Sequence, residues 1–170
     1  DPNVGGFPPN HVFLLTDDAD DPSLRPTRNN IMAHLSQCLP SPGPDDTVLF
    51  FYSGHGAQPG NTSYILPADA QQQYRFRELL LEQLQACRAN RKIIILDSCH
   101  SGAAKVSGEY MGRALSSALA SGGAGLVSLS SCTLDEQSYE YREVGHGAFT
   151  YFLMEGLKGA ADRDGDGEIV

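Results

Sequence analysis

Basic residues are scarce: 12 Lys and Arg stand against 21 Asp and Glu, a formal net charge of −9. A field of that sign repels phosphate backbones and argues against nucleic acid as a partner, while favouring the approach of a basic peptide. Long apolar runs are absent as well. The longest are strand-sized, so nothing in the sequence is expected to span a membrane. The opening, Asp1-Pro-Asn-Val4, has no initiator Met, basic region or apolar stretch of a signal peptide, and it suggests a fragment of a longer polypeptide. The four cysteines, Cys38, Cys87, Cys99 and Cys132, form no Cys-x-x-Cys pair. Zinc-site spacing and the cysteine density of a secreted disulfide scaffold are therefore both missing, which points to free thiols in a reducing cytosol. No internal repeat or low-complexity tract is visible.

What is present reads as a globular α/β chain. With 170 residues, 41% hydrophobic and 19% charged, it can bury a core as one domain. Strand-like runs occur at 12–15, 48–52, 92–96 and 125–129, each short and apolar on consecutive positions. That pattern suits strands buried on both faces of a parallel sheet. Helical spacing appears between them, at 27–39 (Ile31, His34, Leu35, Cys38), 76–88 (Leu79, Leu80, Leu84, Cys87), 111–119 and 148–157. Alternation of strand and helix predicts an α/β sandwich with a mostly parallel sheet.

Two segments share one form. Val48-Leu-Phe-Phe-Tyr-Ser-Gly-His-Gly56 is an apolar strand running into a glycine-flanked histidine, and Ile93-Ile-Ile-Leu-Asp-Ser-Cys-His-Ser-Gly102 is an apolar strand running into a cysteine. Functional groups of open α/β sheets gather at the carboxyl ends of the strands. If the two strands are neighbours, His55 and Cys99 project at one edge as a dyad. The pairing makes chemical sense, because a free thiol is only a few per cent ionised at neutral pH and an imidazole can take its proton. Backbone N–H groups of Gly56 and Cys99 are candidate donors to a tetrahedral oxyanion. Taken singly, a cysteine is more often a small core hydrophobe and a histidine a surface or capping residue; the matched contexts favour the dyad.

Tyr52-Ser-Gly-His-Gly56 and Asp97-Ser-Cys-His-Ser-Gly102 resemble the His and Cys motifs of the caspase superfamily, in particular its metacaspase, paracaspase and bacterial caspase-like branches. The His-to-Cys interval is close to the spacing of about 50 residues in caspases. Supporting matches are Leu14-Leu-Thr-Asp-Asp18, Pro26-Thr-Arg-Asn-Asn-Ile31 and Tyr64-Ile-Leu-Pro-Ala-Asp69. Further on, Ser130-Ser-Cys-Thr-Leu-Asp-Glu-Gln-Ser-Tyr-Glu140 and Gly145-His-Gly-Ala-Phe-Thr150 resemble the start of a small subunit. The resemblance implies a caspase-like three-layer α/β sandwich acting as a cysteine endopeptidase with no required cofactor. It also implies a single domain divided near 105–110 into large- and small-subunit parts.

A carboxylate at Asp97, two residues before Cys99, would favour a cationic P1 side chain. The resemblance agrees, since metacaspases and paracaspases cleave after Arg or Lys and use the matching aspartate; Glu136 and Gln137 are candidates for a second contribution by analogy, alongside Asp135. The plainer alternative for Asp97 is a cap where strand turns to helix. In the resembled families an earlier strand and helix precede the point where this chain begins, so that element is expected to be missing. The acidic calcium cluster that follows the metacaspase His motif is not found in Gln58-Pro-Gly-Asn-Thr-Ser63.

Near the carboxyl end, Asp162-Arg-Asp-Gly-Asp-Gly167 matches the first half of an EF-hand loop, with Asp162, Asp164 and Asp166 as candidate Ca2+ ligands. The twelfth position, which supplies the bidentate glutamate, falls past Val170, so the loop as given is not expected to close around the ion. An Asp/Gly-rich surface turn explains it equally well. Two other functional classes stay open: a caspase-like interaction module whose dyad is unused, and a calcium-binding protein.

Overall fold

The computed structural model describes residues 6–57, 64–69, 74–75, 80, 82–100, 125–131, 140–141 and 146–169. The chain forms two compact units, one of Leu14–Gln137 and one of Asp1–Phe13 with Ser138–Val170.

The first unit is an α/β fold built on three parallel strands, β1 (Thr47–Ala57), β4 (Arg91–His100) and β5 (Leu126–Ser130). Two short strands, β2 (Tyr64–Ile65) and β3 (Tyr74–Arg75), extend it antiparallel, giving the order β3-β2-β1-β4-β5. Helix α1 (Arg28–Cys38) precedes β1, and the short α2 (Glu82–Ala86) lies in the crossover from β1 to β4.

Strand alternation divides the sheet residues between two faces. Ile94 and Leu96 of β4 lie on one face with Val48, Phe50 and Tyr52 of β1 and Leu126 of β5. They pack with Leu35 and Leu39 from the end of α1 and with Leu80, Leu84 and Cys87 around α2. Ile94 and Leu80 are fully buried. Each such side chain contributes about 1.5–3 kcal/mol by leaving water, so this face contributes substantially to the stability of the first unit. Leu49, Phe51, Val127 and Leu129 occupy the opposite face and are exposed, whereas Ile95 between them is buried.

Local chemistry fixes the ends of these elements. Thr27 caps α1, its hydroxyl accepting from the Asn30 N–H at 3.3 Å. The Asp69 carboxylate also accepts from the Arg28 N–H at 3.3 Å, which places negative charge at the helix N-terminus. Thus the segments 26–31 and 64–69, both singled out in the sequence, meet at one helix end. Before β5, Gly125 has φ +89° and its carbonyl accepts from the Lys92 N–H at 2.8 Å. A Cβ at that position would overlap the Asn90 carbonyl, so glycine is required there for both reasons.

The apolar run 12–15 lies outside any strand, and Val12, Phe13 and Leu14 are exposed. An apolar run is a strand only where it joins a backbone ladder, and among the described residues the sheet is made of β1 to β5. The region expected as a helix over 76–88 is helical at 82–86, and 111–119 falls outside the described residues. In the second unit, β6 (Glu140–Tyr141) pairs antiparallel with β7 (His146–Gly147), and α3 (Ala148–Glu155) continues into a wider turn at Gly156–Ala160. Among the described residues, no helix is long and apolar enough to cross a membrane.

Candidate active site

The two chemistry-bearing segments lie on adjacent parallel strands. The β1–β4 pairing runs without interruption from Thr47↔Arg91 to Gly56↔His100, and within it His55 is the register partner of Cys99. Both strands continue past their apolar runs, because backbone pairing is indifferent to the polar side chains of Ser53 and His55 and to the bare backbone of Gly54. Neighbouring strands are about 4.8 Å apart, and register partners in a parallel pair fall on the same face. Positions 55 and 99 are therefore side by side at the carboxyl ends of the strands, where α/β sheets carry their ligands.

The neighbouring register pair is Ser53↔Asp97. Alternation puts positions 53, 55, 97 and 99 on one face, the face that displays Leu49 and Phe51 nearer the start of β1. His55 is exposed, whereas Asp97 and Ser98 are each only 5% exposed. Asp97 is a strand residue, not a cap at a strand-to-helix turn, since β4 extends beyond it to His100. Both Asp97 and Ser98 are engaged by neighbours, as buried polar groups must be.

The His55 backbone is held as well. Its carbonyl accepts from the Leu66 N–H at 3.0 Å and from the Tyr52 hydroxyl at 2.8 Å. Tyr52 opens the histidine motif, but the sequence alone assigns its side chain no role. The available signal was its place two positions before Gly54, on one face of the strand and beside a residue with no side chain.

Of the remaining candidates, Glu136 and Gln137 lie outside the described residues. Gly56 pairs with His100 on one side and Ile65 on the other. In the second unit, carboxylate oxygens of Asp162, Asp164 and Asp166 lie within 4.8 Å of one another. The Asp162 carboxylate accepts from the Gly165 N–H at 2.7 Å and from the Gly167 N–H at 3.0 Å. These backbone bonds, that to Gly167 foremost, hold its carboxyl below the ordinary value.

A family profile described as the caspase domain matches residues 11–168. The chain belongs to the caspase-domain family of cysteine-type peptidases. Among curated relatives of this caspase domain, metacaspase-1A of Aspergillus oryzae is 33% identical over 113 residues, covering 58% of this chain and 26% of that protein. Metacaspase-1 of Pyricularia oryzae is 37% identical over 105 residues, covering 55% and 26%. The chain thus spans about a quarter of the length of the curated relatives it matches. A crystal structure of a Geobacter sulfurreducens protein superposes with a TM-score of 0.56 at 20% identity, covering 80% of this chain and 63% of that one. This likeness speaks for a shared fold.

Proposed function

We propose that this caspase domain is the catalytic core of a cysteine endopeptidase that cleaves protein substrates after Arg or Lys, with Cys99 as nucleophile and His55 as general base. The observation that carries the reading is the register pair His55↔Cys99 at the carboxyl ends of two adjacent parallel strands. The His55 imidazole takes the thiol proton, and the thiolate attacks the scissile carbonyl carbon. Charge then develops on the carbonyl oxygen, for which the N–H groups of Gly56 and Cys99 are the candidate donors. His55 returns the proton to the leaving amine as the C–N bond breaks, and water, deprotonated by the same imidazole, releases the acyl group. No step of this sequence calls for a cofactor, and the Asp162, Asp164 and Asp166 group takes no part in it.

Specificity for a basic P1 residue is assigned to Asp97, two positions before the nucleophile on the same face, with Glu136 and Gln137 as further contributors. A carboxylate shielded from water binds a guanidinium or ammonium more strongly than an exposed one, because solvent competes less. The net charge of −9 adds a weak, salt-dependent attraction for cationic peptides. Cleavage of Arg- and Lys-amide reporters by the full-length protein and its Cys99→Ala form tests the proposal. Activity is expected to vanish in Cys99→Ala; equal kcat/KM in the two proteins would refute the mechanism. A folded protein that turns over neither reporter would instead be an interaction module.

A further inference from the structure

The end of β1 carries a device that the chemistry above does not use. Tyr52 lies on the helix-covered face of the strand, packed against the core, while position 55 faces the other way. The phenol extends along the strand past Gly54 and donates its hydroxyl hydrogen to the His55 carbonyl at 2.8 Å, with the Leu66 carbonyl at 3.3 Å as a second acceptor. The Leu66 N–H reaches the same His55 carbonyl at 3.0 Å. One peptide group, that which follows the His55 α-carbon, is therefore held by a backbone donor and a side-chain donor together.

Gly54 makes the arrangement possible. A Cβ there would stand 2.8 Å from the Tyr52 hydroxyl oxygen and 3.0 Å from the ring carbon that bears it. Any side chain at position 54 would push the phenol off the His55 carbonyl. Burial, the largest influence, pushes the Tyr52 phenol up to about 12, so it keeps its proton and remains a donor throughout any working range. The segment needs such a tether, because His55 is exposed and stands between two glycines, whose backbones are the most permissive. An imidazole on a loosely held peptide would lose orientation, and reaction rates fall steeply with misplacement on the order of 1 Å.

We infer that Tyr52 is a positioning residue for His55, acting through the carbonyl it holds, and that Gly54 is glycine to leave room for that contact. The inference rests on the reading of His55 as general base, and the experiment separates the two. Tyr52→Phe removes the hydroxyl and keeps the ring. Expected results are a fall in kcat of about tenfold with KM unchanged, and a thermal midpoint lower by no more than a few degrees.

A second readout needs no turnover. Alkylation of Cys99 by iodoacetamide at pH 6 depends on the imidazole drawing off the thiol proton, whereas at pH 9 the thiol ionises unaided. Tyr52→Phe should slow the reaction about fivefold at pH 6 and leave it unchanged at pH 9. Gly54→Ala, which displaces the same hydroxyl, should do likewise. Because both remove one contact, the double variant should lose no more than about twofold beyond either single variant. A Tyr52→Phe protein with unaltered kcat and an unaltered alkylation profile, alongside an inactive His55→Ala, would overturn the positioning role and leave the base assignment standing. Losses that multiply in the double variant would also overturn it. Near-full activity in His55→Ala would remove the base assignment, and the positioning role with it.

Discussion

At the carboxyl ends of β1 and β4, His55 meets Cys99 through a register that runs unbroken from Thr47 to Gly56. In the loop at 162–168, three carboxylates converge within a single turn of chain. The two groups owe their convergence to different causes. Asp162 is held by the N–H groups of Gly165 and Gly167, and the Glu168 N–H reaches Asp166 at 2.8 Å. Asp/Gly-rich turns fold their carboxylates inward for such local bonds whether or not an ion binds. Local bonds do not account for His55 opposite Cys99, residues distant in sequence that a whole sheet brings together. Convergence that requires long-range register is much the stronger pointer to chemistry.

That contrast is open to attack by mutation. His55→Ala should lower kcat/KM for an Arg-amide reporter by several orders of magnitude, since it removes the only assigned proton acceptor. Asp162→Asn should leave the same constant within about twofold. Comparable losses in both variants would break the distinction between the two groups.

An intermediate effect is expected at Asp97. Replacement by Asn keeps the shape and removes the charge, and losing one charge-assisted contact costs roughly 1.5–3 kcal/mol, or about one to two decades in kcat/KM. The loss should be selective for Arg and Lys over an uncharged P1 residue. Preference of the unmutated protein for a P1 aspartate would show that the carboxylate has another purpose.

The smallest effect concerns the Asp162 loop on acidification. Its folded carboxyl is held below the ordinary value, so the bonds to Gly165 and Gly167 contribute fully above the unfolded pKa of about 3.9 and are lost as pH falls through the lower folded value. Amide resonances of Gly165 and Gly167 should hold still from pH 7 to 5 and move only below about pH 4. Movement near pH 6 would mean that another group controls the loop.

Much of this was legible in the sequence, and the gaps have physical causes. The runs at 48–52, 92–96 and 125–129 all became strands, because Ile94 and Leu96 with Val48 and Phe50 need a covered sheet face. The same reasoning failed for 12–15, since apolar character alone does not place a run in a sheet. It also ended β1 and β4 too early. Side-chain polarity changes at Ser53 and Asp97, but the backbone ladder runs on to Ala57 and His100. The pairing of His55 with Cys99 depended on the strands being neighbours, a condition that matched sequence contexts suggest but cannot impose. The burial of Asp97 was hidden because a lone aspartate after an apolar run looks the same whether it caps a turn or lies within a strand. Tyr52 stands in the histidine motif with no role readable from the sequence, although Gly54 two positions on marks the space beside its phenol.

If Cys99 is an activated nucleophile with His55 as its base, an electrophile directed to the site will capture it covalently. Full-length protein, its His55→Ala form and its Asp97→Asn form would be treated with an Arg-directed acyloxymethyl ketone and followed by intact mass and peptide mapping. One adduct is expected, on Cys99 and on none of Cys38, Cys87 or Cys132, formed rapidly by the unmutated protein, slowly by Asp97→Asn and barely by His55→Ala. An unmodified Cys99 in a folded protein, or labelling that His55→Ala leaves undiminished, would contradict it.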